Sequence, residues 1–371
     1  MALQDQKAPE LLCIGNALVD IFAPADDDIL LHFGITAPVQ HLGYEKISDL
    51  LAVLSDLSAG SGGGAANVAK IAALLGLNTG FIGTVGSAGP QTREGTPRNG
   101  GDSGGQPDHF ARIFERDLIN AGVTPILFRG KAPTGVCFVL QTPAGETRIA
   151  ASPAAALELR GADISEDAIR TAKVVVIDGF LLGREDLVNR ILELAEHYGT
   201  AVALDVGAAF LAERRAAEIA RYCRDYPLIL FMNEDEALSF YRALNRDARQ
   251  RPVPEGLEKT GYYTQEVFPF LKNLTLNELF PVIVVKLGPR GAVAFAGGTI
   301  FREETVPVIP LETTGAGDAF CAAFLTAWIR NRSIAECAAL GNRAAREVLD
   351  VQGTGVNQKH LAHLTKMLSP P

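Results

Sequence analysis

The sequence predicts an α/β fold with a parallel sheet flanked by helices and a small separate β element, and three observations carry this prediction. Helical patterns such as REDLVNRILELAEHYG and FLAERRAAEIARYCRDY alternate with short apolar runs. Two stretches, 18–47 and 126–152, break that alternation. The apolar runs are typical of buried strands: LLCIG (11–15), VVVID (174–178), AVALD (201–205), LILFM (228–232) and VIVVK (282–286).

The apolar runs predict a sheet that is covered on both faces. A strand with one wet face alternates apolar and polar residues, whereas a strand between two layers of helices is apolar throughout. Strands that alternate with helices form right-handed βαβ units, because that connection packs the helix back on the sheet. We therefore expect a parallel sheet between helical layers.

The two stretches that break the alternation, 18–47 and 126–152, are predicted to form the small separate β element. Within the second, GVCFVLQTPAGETRIA is typical of a hairpin with Pro-Ala-Gly at its turn. Segment 86–107 is rich in Gly, Pro and Ser, which predicts an exposed and mobile loop. Segment 242–281 predicts an insertion of short helices and turns. We expect residues 1–371 to form a single domain.

Composition excludes several classes of protein. With 371 residues, 47% of them hydrophobic, the chain is able to bury a large core, and its net charge of −9 argues against a nucleic-acid-binding surface. Five cysteines without a C-x-x-C pair favour free, buried thiols in a reducing compartment. The sequence has neither a signal-peptide pattern nor a run of about 18 uncharged apolar residues. We expect a cytoplasmic protein that binds a small molecule and neither nucleic acid nor membrane.

The stretch ETTGAGDAFCAAF (312–324) places two glycines and an acid directly before an apolar helix. Free amides at a helix start bind anions, and Gly315 and Gly317, which lack a Cβ atom, would let the backbone approach a phosphate closely. An acid beside a bound anion is unfavourable unless it accepts a proton, so Asp318 is a candidate general base. Helix capping by Asp318 remains an equal alternative on these residues alone.

A second glycine-rich turn, SGGGAANVAK (61–70), leads into an amphipathic helix. Its spacing matches a dinucleotide fingerprint, but the preceding LAVLSDLSA favours a helix and no clear βαβ unit surrounds it. We interpret the turn as a close approach of backbone to a ligand, with Asn67 in the first helical turn. A purely structural turn is the alternative.

Two further motifs follow predicted strands. In NEDE (233–236), the acids come after LILFM, at the strand end where ligands bind in open α/β sheets, and would hold Mg²⁺ through water. Acids in a first helical turn give the same pattern. In KLGPRGA (286–292), Lys286 and Arg290 would neutralise phosphates, or form a solvated turn.

The segment GDSGGQP (101–107) is similar to the nucleophile segment of serine proteases. A triad needs a positioned His and Asp, yet the six histidines are scattered and lack metal-ligand spacing. We therefore interpret Ser103 as part of a low-complexity loop, and a serine hydrolase as a rival hypothesis.

Together these motifs resemble the PfkB, or ribokinase-like, family of sugar and nucleoside kinases. TTGAGDAF resembles the family's C-terminal signature, and SGGGAANVAKIAALLG its N-terminal glycine signature. NEDE, KLGPRGA and GNALVD resemble the N-x-x-E motif, the nucleotide-site turn and the substrate-binding first strand and loop. The resemblance implies a ribokinase-like fold, with a doubly wound, mostly parallel sheet flanked by helices and a small β lid formed by 18–47 and 126–152. It also implies ATP and Mg²⁺, and transfer of the γ-phosphoryl group to a hydroxymethyl of a sugar or nucleoside.

The resemblance also implies roles for single residues. Asp318 would be the base, and Gly315, Ala316 and Gly317 would form the anion hole. Glu236 would organise Mg²⁺ through water. Sugar hydroxyls would be held by Asn16, Asp20, Gly62, Gly63 and Asn67. The nucleotide would be held by Asn233, Lys286, Gly288, Arg290, Gly291 and Asn342.

The sequence departs from the family pattern at two places. An insertion separates FIGTVG from Phe110, and Glu312 stands where Asp is common, so a monovalent-cation site is left open. The acceptor is also open: GNALVD and TRIAASPAAALEL resemble adenosine-kinase-like members, and aromatic residues lining the lid, Phe22, Phe33 and Phe138, would favour a nucleoside unless they are lid core. A non-catalytic sensor and a homodimer formed through the lid are further hypotheses.

Overall fold

The computed structural model describes residues 8–37, 39–88, 106–249, 257–276, 282–350 and 358–368. The strands in these ranges are β1 (Leu11–Ile14), β2 (Leu18–Pro24), β3 (Val39–His41), β4 (Ser58–Gly62), β5 (Thr79–Gly86), β6 (Val123–Gly130), β7 (Thr134–Gln141), β8 (Thr147–Ala154), β9 (Val174–Asp178), β10 (Ala201–Asp205), β11 (Leu228–Asn233), β12 (Val282–Lys286), β13 (Ala292–Ala296) and β14 (Thr299–Glu303). The α-helices are α1 (Asp27–Phe33), α2 (Ile47–Val53), α3 (Gly64–Leu74), α4 (His109–Asn120), α5 (Glu166–Thr171), α6 (Glu185–Tyr198), α7 (Ala209–Arg214), α8 (Ala216–Asp225), α9 (Glu234–Leu244), α10 (Arg246–Arg249), α11 (Leu257–Tyr262), α12 (Phe268–Leu274), α13 (Ala316–Ile329), α14 (Ile334–Val348) and α15 (Gln358–Leu368).

The larger sheet has the strand order β14-β13-β12-β11-β10-β9-β1-β5-β6. Its strands from β12 to β6 run parallel, and β13 and β14 add an antiparallel edge. The chain leaves β1 toward β5 and β6, and later returns to the other side of β1 through β9. The prediction of a doubly wound, mostly parallel sheet is confirmed, and each of the five apolar runs forms one of its strands.

Burial on both faces explains why these runs are apolar throughout. In β1, Leu11 and Cys13 point into one hydrophobic core, while Leu12 and Ile14 point into another on the opposite face. Residues of α3, α13 and α14 belong to the first core, and residues of α6, α8 and α9 to the second. Successive side chains of a strand alternate between faces, so a sheet between two helical layers needs apolar residues at every position.

The second sheet is the lid, with the order β3-β8-β7-β2-β4. One face packs on the core through residues such as Val19 and Phe138, and the other face carries Asp20 and Phe22. The antiparallel pair β7 and β8 is the predicted hairpin.

The lid differs from its predicted boundaries in two ways. Ser58–Gly62 is a strand, although a helix was expected before Gly62, because its pairing with β2 overrides the weak strand propensity of SAGSG. Residues 126–130 lie in β6 of the larger sheet, because they pair in parallel register with β5.

The remaining predicted segments are described in part. Of the predicted loop 86–107, Gly86 ends β5 and Ser87 pairs with Pro107, while residues 89–105, including Ser103, lie outside the described residues. The described residues of 242–281 form the short helices α10, α11 and α12. None of the helices in the described ranges is long and apolar enough to cross a membrane.

Candidate active site

Polar side chains collect where parallel strands of the larger sheet end. Asn16 follows β1, while Asp178, Asp205, Asn233 and Lys286 are the last residues of β9, β10, β11 and β12. In the sheet register Asp205 is level with Asp178, and Asn233 with Lys286. The strand order reverses at β1, β9 is its neighbour, and β10, β11 and β12 follow in order on the same side. Open α/β sheets bind ligands at the carboxyl ends of their strands near such a reversal. The sheet therefore brings together residues far apart in sequence.

The first turn of α13 lies at the same edge. Gly315 takes φ +80°, a left-handed conformation that suits glycine, and no side chain caps the helix there. Ala316 N donates to Thr313 O at 3.3 Å and Ala319 N to Gly315 O at 2.9 Å. The amides of Gly317 and Asp318 come too early in the helix to have an acceptor within it. They are suited to bind an anion.

Asp318 contacts α3 and does not cap its own helix. Its Oδ2 accepts a hydrogen bond from Asn67 Nδ2 at 2.9 Å. Burial, followed by the negative charge of Asp205, raises the pKa of Asp318 to about 7, although Asn67 and Lys286 act in the opposite direction. A carboxyl group with this pKa exchanges a proton readily near neutral pH.

The residues predicted to hold sugar hydroxyls surround Asp20. A Cβ atom on Gly62 would lie 2.0 Å from Asp20 Cγ, and a Cβ on Gly63 would lie 2.5 Å from Asn16 O. A side chain at either position would collide with these atoms, so both positions require glycine. Burial raises the pKa of Asp20 to about 7, although Lys70 and a hydrogen bond with the Cys137 thiol lower it.

Two buried amide oxygens of this group, Asn16 Oδ1 and Asn67 Oδ1, have no hydrogen-bond partner among the described residues. Buried polar atoms normally have a partner. With the Asp20 carboxylate they form a set of acceptors suited to the hydroxyls of a bound molecule.

Lys70, which lies one turn after Asn67 on α3, is a further polar residue of the site that its motif did not predict. Its Nζ donates to Ser61 O at 2.6 Å and to Ser61 Oγ at 2.9 Å. Burial lowers the pKa of Lys70, and the charges of Asp20, Asp117 and Asp318 oppose that decrease. The i,i+3 spacing in NVAK was the available signal, because residues three apart share a helix face.

Lys286 lies beside the first turn of α13. Its Nζ is 3.4 Å from the place that a Cβ on Gly317 would occupy. The same ammonium group forms hydrogen bonds of 3.0 and 3.2 Å with the two carboxylate oxygens of Asp205. A cation thus lies next to the candidate anion hole, and its partner Asp205 was not identified from the sequence.

Asn233 and Glu236 form a reciprocal helix cap. Asn233 N donates to Glu236 Oε2, Asn233 Nδ2 donates to Oε1, and Glu236 N donates to Asn233 Oδ1, each at 2.8 Å. Burial, and then the charge of Asp205, raise the pKa of Glu236 to about 7, although Lys286 opposes them. The helix-capping interpretation of NEDE, with acids in a first helical turn, therefore applies to Glu236.

The predicted nucleotide residues lie around the turn Gly288–Arg290 between β12 and β13. Arg290 is engaged with protein partners: Nη2 pairs with Glu234 Oε1 at 2.5 Å and Nη1 donates to Thr260 Oγ1 at 3.1 Å. A Cβ on Gly291 would lie 2.1 Å from Glu303 O, which also accepts from Asn342 Nδ2 at 3.0 Å. A cavity of about 460 Å³ lies here, lined by residues that include Arg290, Leu287 and Phe268.

An exposed aromatic pair at the same sheet edge was also missed. Phe180 and Phe210 are 45% and 42% exposed, and their rings meet edge to face with centroids 6.2 Å apart. Phe180 N donates to Asp178 Oδ1 at 3.0 Å, and backbone amides of Asn16 and Ala65 also hydrogen-bond this carboxylate. The backbone of Phe180 therefore lies beside the Asn16 loop, and the Arg214 guanidinium lies 5.8 Å from the centroid of the Phe210 ring. Its signal was an aromatic residue shortly after each strand, in VVVIDGF and AVALDVGAAF.

The lid encloses a smaller cavity of about 340 Å³, lined in part by Phe22, Val139, Gln141 and Leu311. Phe22 is the lid aromatic that lines this cavity, whereas Phe33 and Phe138 are buried in the core. Of the three aromatic residues considered for the lid, two are therefore lid core.

The sequence matches known proteins along most of its length. The family model for pfkB family carbohydrate kinase matches residues 106–360. Adenosine kinase 2 of Arabidopsis thaliana is 25% identical over 369 residues, which covers 94% of this chain and 96% of that protein. A protein described as an uncharacterized sugar kinase of Archaeoglobus fulgidus is 24% identical over 281 residues, or 75% of this chain and 94% of its own length.

Solved structures share the whole fold. The adenosine kinase from Sinorhizobium meliloti has a TM-score of 0.77 at 26% identity, with 96% of this chain and 99% of that chain covered. A probable sugar kinase from Rhizobium etli CFN 42 also has a TM-score of 0.77, at 24% identity over 98% and 99% of the chains. The fold is ribokinase-like, and the family's members transfer a phosphoryl group to an alcohol, with ATP as the implied donor. Since the family model matches more than half of its residues, this chain belongs to the pfkB family of carbohydrate kinases.

Proposed function

We propose that this kinase transfers the γ-phosphoryl group of ATP to a hydroxymethyl group of a small acceptor, with Asp318 as general base. The observation that carries the proposal is the hydrogen bond of 2.9 Å between Asn67 and Asp318. It joins the group of acceptors around Asp20 to the first turn of α13. An alcohol held by those acceptors would therefore have its hydroxyl proton near Asp318.

The acceptor is held by hydroxyl contacts. The Asp20 carboxylate has two oxygens and accepts two hydroxyl donors, as ionised carboxylates do. Asn16 Oδ1 and Asn67 Oδ1, which lack other partners in the described part of the chain, accept further hydroxyls. Gly62 and Gly63 allow the backbone to pass beside these groups, where any side chain would collide.

The transferring phosphoryl group is stabilised by positive charge and amides. The amides of Gly317 and Asp318, freed by the turn at Gly315 and Ala316, point from the start of α13. Lys286 adds a full positive charge beside Gly317. Phosphoryl transfer needs mostly such positioning and charge neutralisation, because the protein contributes little covalent chemistry.

ATP binds along the turn Gly288–Arg290 and the neighbouring cavity. Gly291, at φ +85°, brings the turn against Glu303 O, and Asn342 holds the same carbonyl from α14. Arg290 stabilises the turn through Glu234, so Lys286 is the better candidate for contact with phosphate. The apolar residues Leu287 and Phe268 in the cavity are suited to a nucleobase.

Mg²⁺ fits Glu236 through water and not by direct contact. Each oxygen of this buried carboxylate already accepts one hydrogen bond from Asn233, and each retains a lone pair for a water ligand. Mg²⁺ keeps several waters in nucleotide sites and would neutralise phosphate charge. A monovalent cation near Glu312 remains a prediction, tested by the activity in KCl and in tetramethylammonium chloride.

We favour a nucleoside over a simple sugar as acceptor. Phe180 and Phe210 are partly exposed at this end of the sheet, and the ring surface that Arg214 leaves uncovered would stack on a planar base. The relatives named adenosine kinases support the same choice. A small sugar has no planar group and would leave this pair uncovered, so it is the second candidate.

A screen of ADP release across adenosine, guanosine, ribose and fructose tests the function, with ATP and Mg²⁺ present. We expect turnover with a nucleoside and at least tenfold lower kcat/KM with either sugar. Fast turnover of a sugar would reject the nucleoside assignment, and binding without ADP release from any acceptor would identify a sensor. Light scattering tests the predicted homodimer, whose contact would involve β3 or β4 at the lid edges.

A further inference from the structure

Asp205, the last residue of β10, makes its side-chain contacts within the candidate active site. Both of its carboxylate oxygens accept hydrogen bonds from Lys286 Nζ, at 3.0 and 3.2 Å. The Cys321 thiol, on α13, donates to Asp205 Oδ2 at 3.3 Å. Asp205 thus joins the carboxyl end of β10 to the end of β12 and to the helix that carries Asp318.

The ion pair between Asp205 and Lys286 is largely removed from solvent. Both side chains are 15% exposed. Burial is the largest single influence on the pKa of Lys286 and lowers it, but its acidic neighbours, Asp205 first among them, together outweigh burial and raise the pKa. Lys286 therefore stays protonated in a place where an unpaired lysine tends to lose its proton. Buried ion pairs in general add little stability to the fold. The pair of Asp205 and Lys286 is therefore better explained by where it holds the ammonium group.

The position of Lys286 supplies that explanation. Its ammonium group lies 3.4 Å from the site of a Cβ on Gly317, so it borders the first turn of α13. A lysine side chain has several rotatable bonds and is not held in place by its own backbone. The two hydrogen bonds to Asp205 hold Nζ at the anion hole before any phosphate arrives.

We infer that Asp205 is a positioning residue, which holds Lys286 charged and in place beside Gly317 so that the ammonium group meets the transferring phosphoryl. The inference rests on the proposed function and adds to it a residue that touches neither acceptor nor nucleotide. A group fixed in advance stabilises the transition state without reorganisation, and its loss is expected to appear in turnover and not in acceptor binding.

Asp205 also acts on the general base. The groups whose charges or hydrogen bonds reach Asp318 are Asp178 on β9, Asp205 on β10, Lys286 on β12, and Lys70 and Asn67 on α3. After burial, the charge of Asp205 is the largest cause that raises the pKa of Asp318. Removal of that charge should therefore lower the pKa of the base, an effect that loss of packing alone would not produce.

The test is Asp205→Asn, which keeps the shape of the side chain and removes its charge. We expect kcat and kcat/KM to fall together by about tenfold, within the range of coupling between contacting residues, with the acceptor KM changed less than twofold. The acid limb of the pH–rate profile should move to lower pH. Asp225→Asn is the control, because Asp225 is exposed and pairs only with its neighbour Arg224 among the contacts described.

A double-mutant cycle with Lys286→Met keeps the inference falsifiable if Asp205→Asn is unstable, since replacing both partners leaves no buried charge unpaired. The double variant should lose about as much kcat as Lys286→Met alone. Two outcomes would overturn the role of Asp205 and leave the proposed function intact. In the first, the loss of kcat in the double variant is the product of the two single losses. In the second, Asp205→Asn keeps the wild-type kcat while Lys286→Met is impaired. Absence of ADP release from the wild-type protein would instead reject the function itself.

Discussion

The side chains of Asn67 and Asp318 meet across the site, with Asn67 Nδ2 2.9 Å from Asp318 Oδ2, although 251 positions separate them in sequence. The bond joins the first turns of α3 and α13, two helices whose amino ends face the same sheet edge. Each motif alone allowed a purely structural explanation. The hydrogen bond between Asn67 and Asp318 brings the two motifs into one site, and it orients the Asp318 carboxylate toward the residues around Asp20.

Replacement of Asp318 by Asn should remove the general base while it preserves the size of the side chain. We expect kcat to fall by about a hundredfold to ten-thousandfold, the usual contribution of a general base. The measurement is ADP release at saturating acceptor and ATP, with Asp225→Asn as a matched Asp-to-Asn control. Turnover within a factor of a few of wild type would reject the assignment.

The pH dependence of kcat/KM follows from the raised pKa of Asp318, about 7. The base works only when deprotonated, so activity should increase as pH rises from about 5.5 to 8.5, with a midpoint near 7. Asp20, whose pKa is also raised to about 7, contributes to the same limb. Asp20→Asn should therefore retain an acid limb in kcat that belongs to Asp318. A flat profile between pH 6 and 8 would contradict both assignments.

Most of the fold could be predicted from the sequence, because strands buried on both faces have an unmistakable pattern. The ends of β9 to β12 were correct within a residue or two for the same reason. The strand Ser58–Gly62 was not predicted, because nothing in SAGSG favours a strand until it pairs with β2. Local composition predicts a helix or strand only when interactions between residues close in sequence stabilise it.

The candidate site was predicted where a motif is contiguous and missed where it is not. GAGD, SGGG and NEDE each carry their signal within a few residues. Asp205 has no such signal. The signals of Lys70, Phe180 and Phe210, an i,i+3 spacing and an aromatic residue after a strand, are too common to identify a site, since these residues acquire their roles from neighbours on other strands or helices. Asp205 is an ordinary strand-terminal acid until the sheet register places Lys286 two strands away within reach.

The stability of the protein should decrease as pH rises from about 5 to 8. Burial raises the pKa of Asp20, Asp318 and Glu236 to about 7 and that of Asp178 to about 6. The folded state therefore binds more protons than the unfolded state in this window, and the stability present at lower pH is lost as pH passes through these values. Thermal melts across the window measure the effect.

Asp318→Asn should make the protein more stable at pH 8, because it removes a buried charge. We expect a gain on the order of 1 kcal/mol, or about 2 °C in Tm for a chain of this size. The gain should shrink at pH 5.5, where Asp318 is protonated in the folded state. A lower Tm at pH 8 would mean that the charge of Asp318 stabilises the fold.

Gly62→Ala should disrupt acceptor binding. Its Cβ would lie 2.0 Å from Asp20 Cγ, so the carboxylate has to move. A displacement of about 1 Å at such a group costs about a hundredfold in kcat/KM, which we expect to see with the acceptor while the KM for ATP is unchanged. Gly261→Ala in α11 is the control, because a Cβ there meets open space. Equal effects of the two changes would rule out a role for the close approach.

Phe210→Leu should separate nucleosides from sugars. Stacking of a base on an aromatic side chain contributes about 1–3 kcal/mol, so the KM for a nucleoside should rise about tenfold or more. Ribose, which lacks a base, should be turned over at the same rate by the variant and by the wild type. Tyr198→Leu is the control, since Tyr198 ends α6 just before β10 begins, at the sheet edge opposite to the site. An unchanged nucleoside KM would place the base elsewhere, and the cavity between Phe22 and Leu311 under the lid would be the next position to test by substitution.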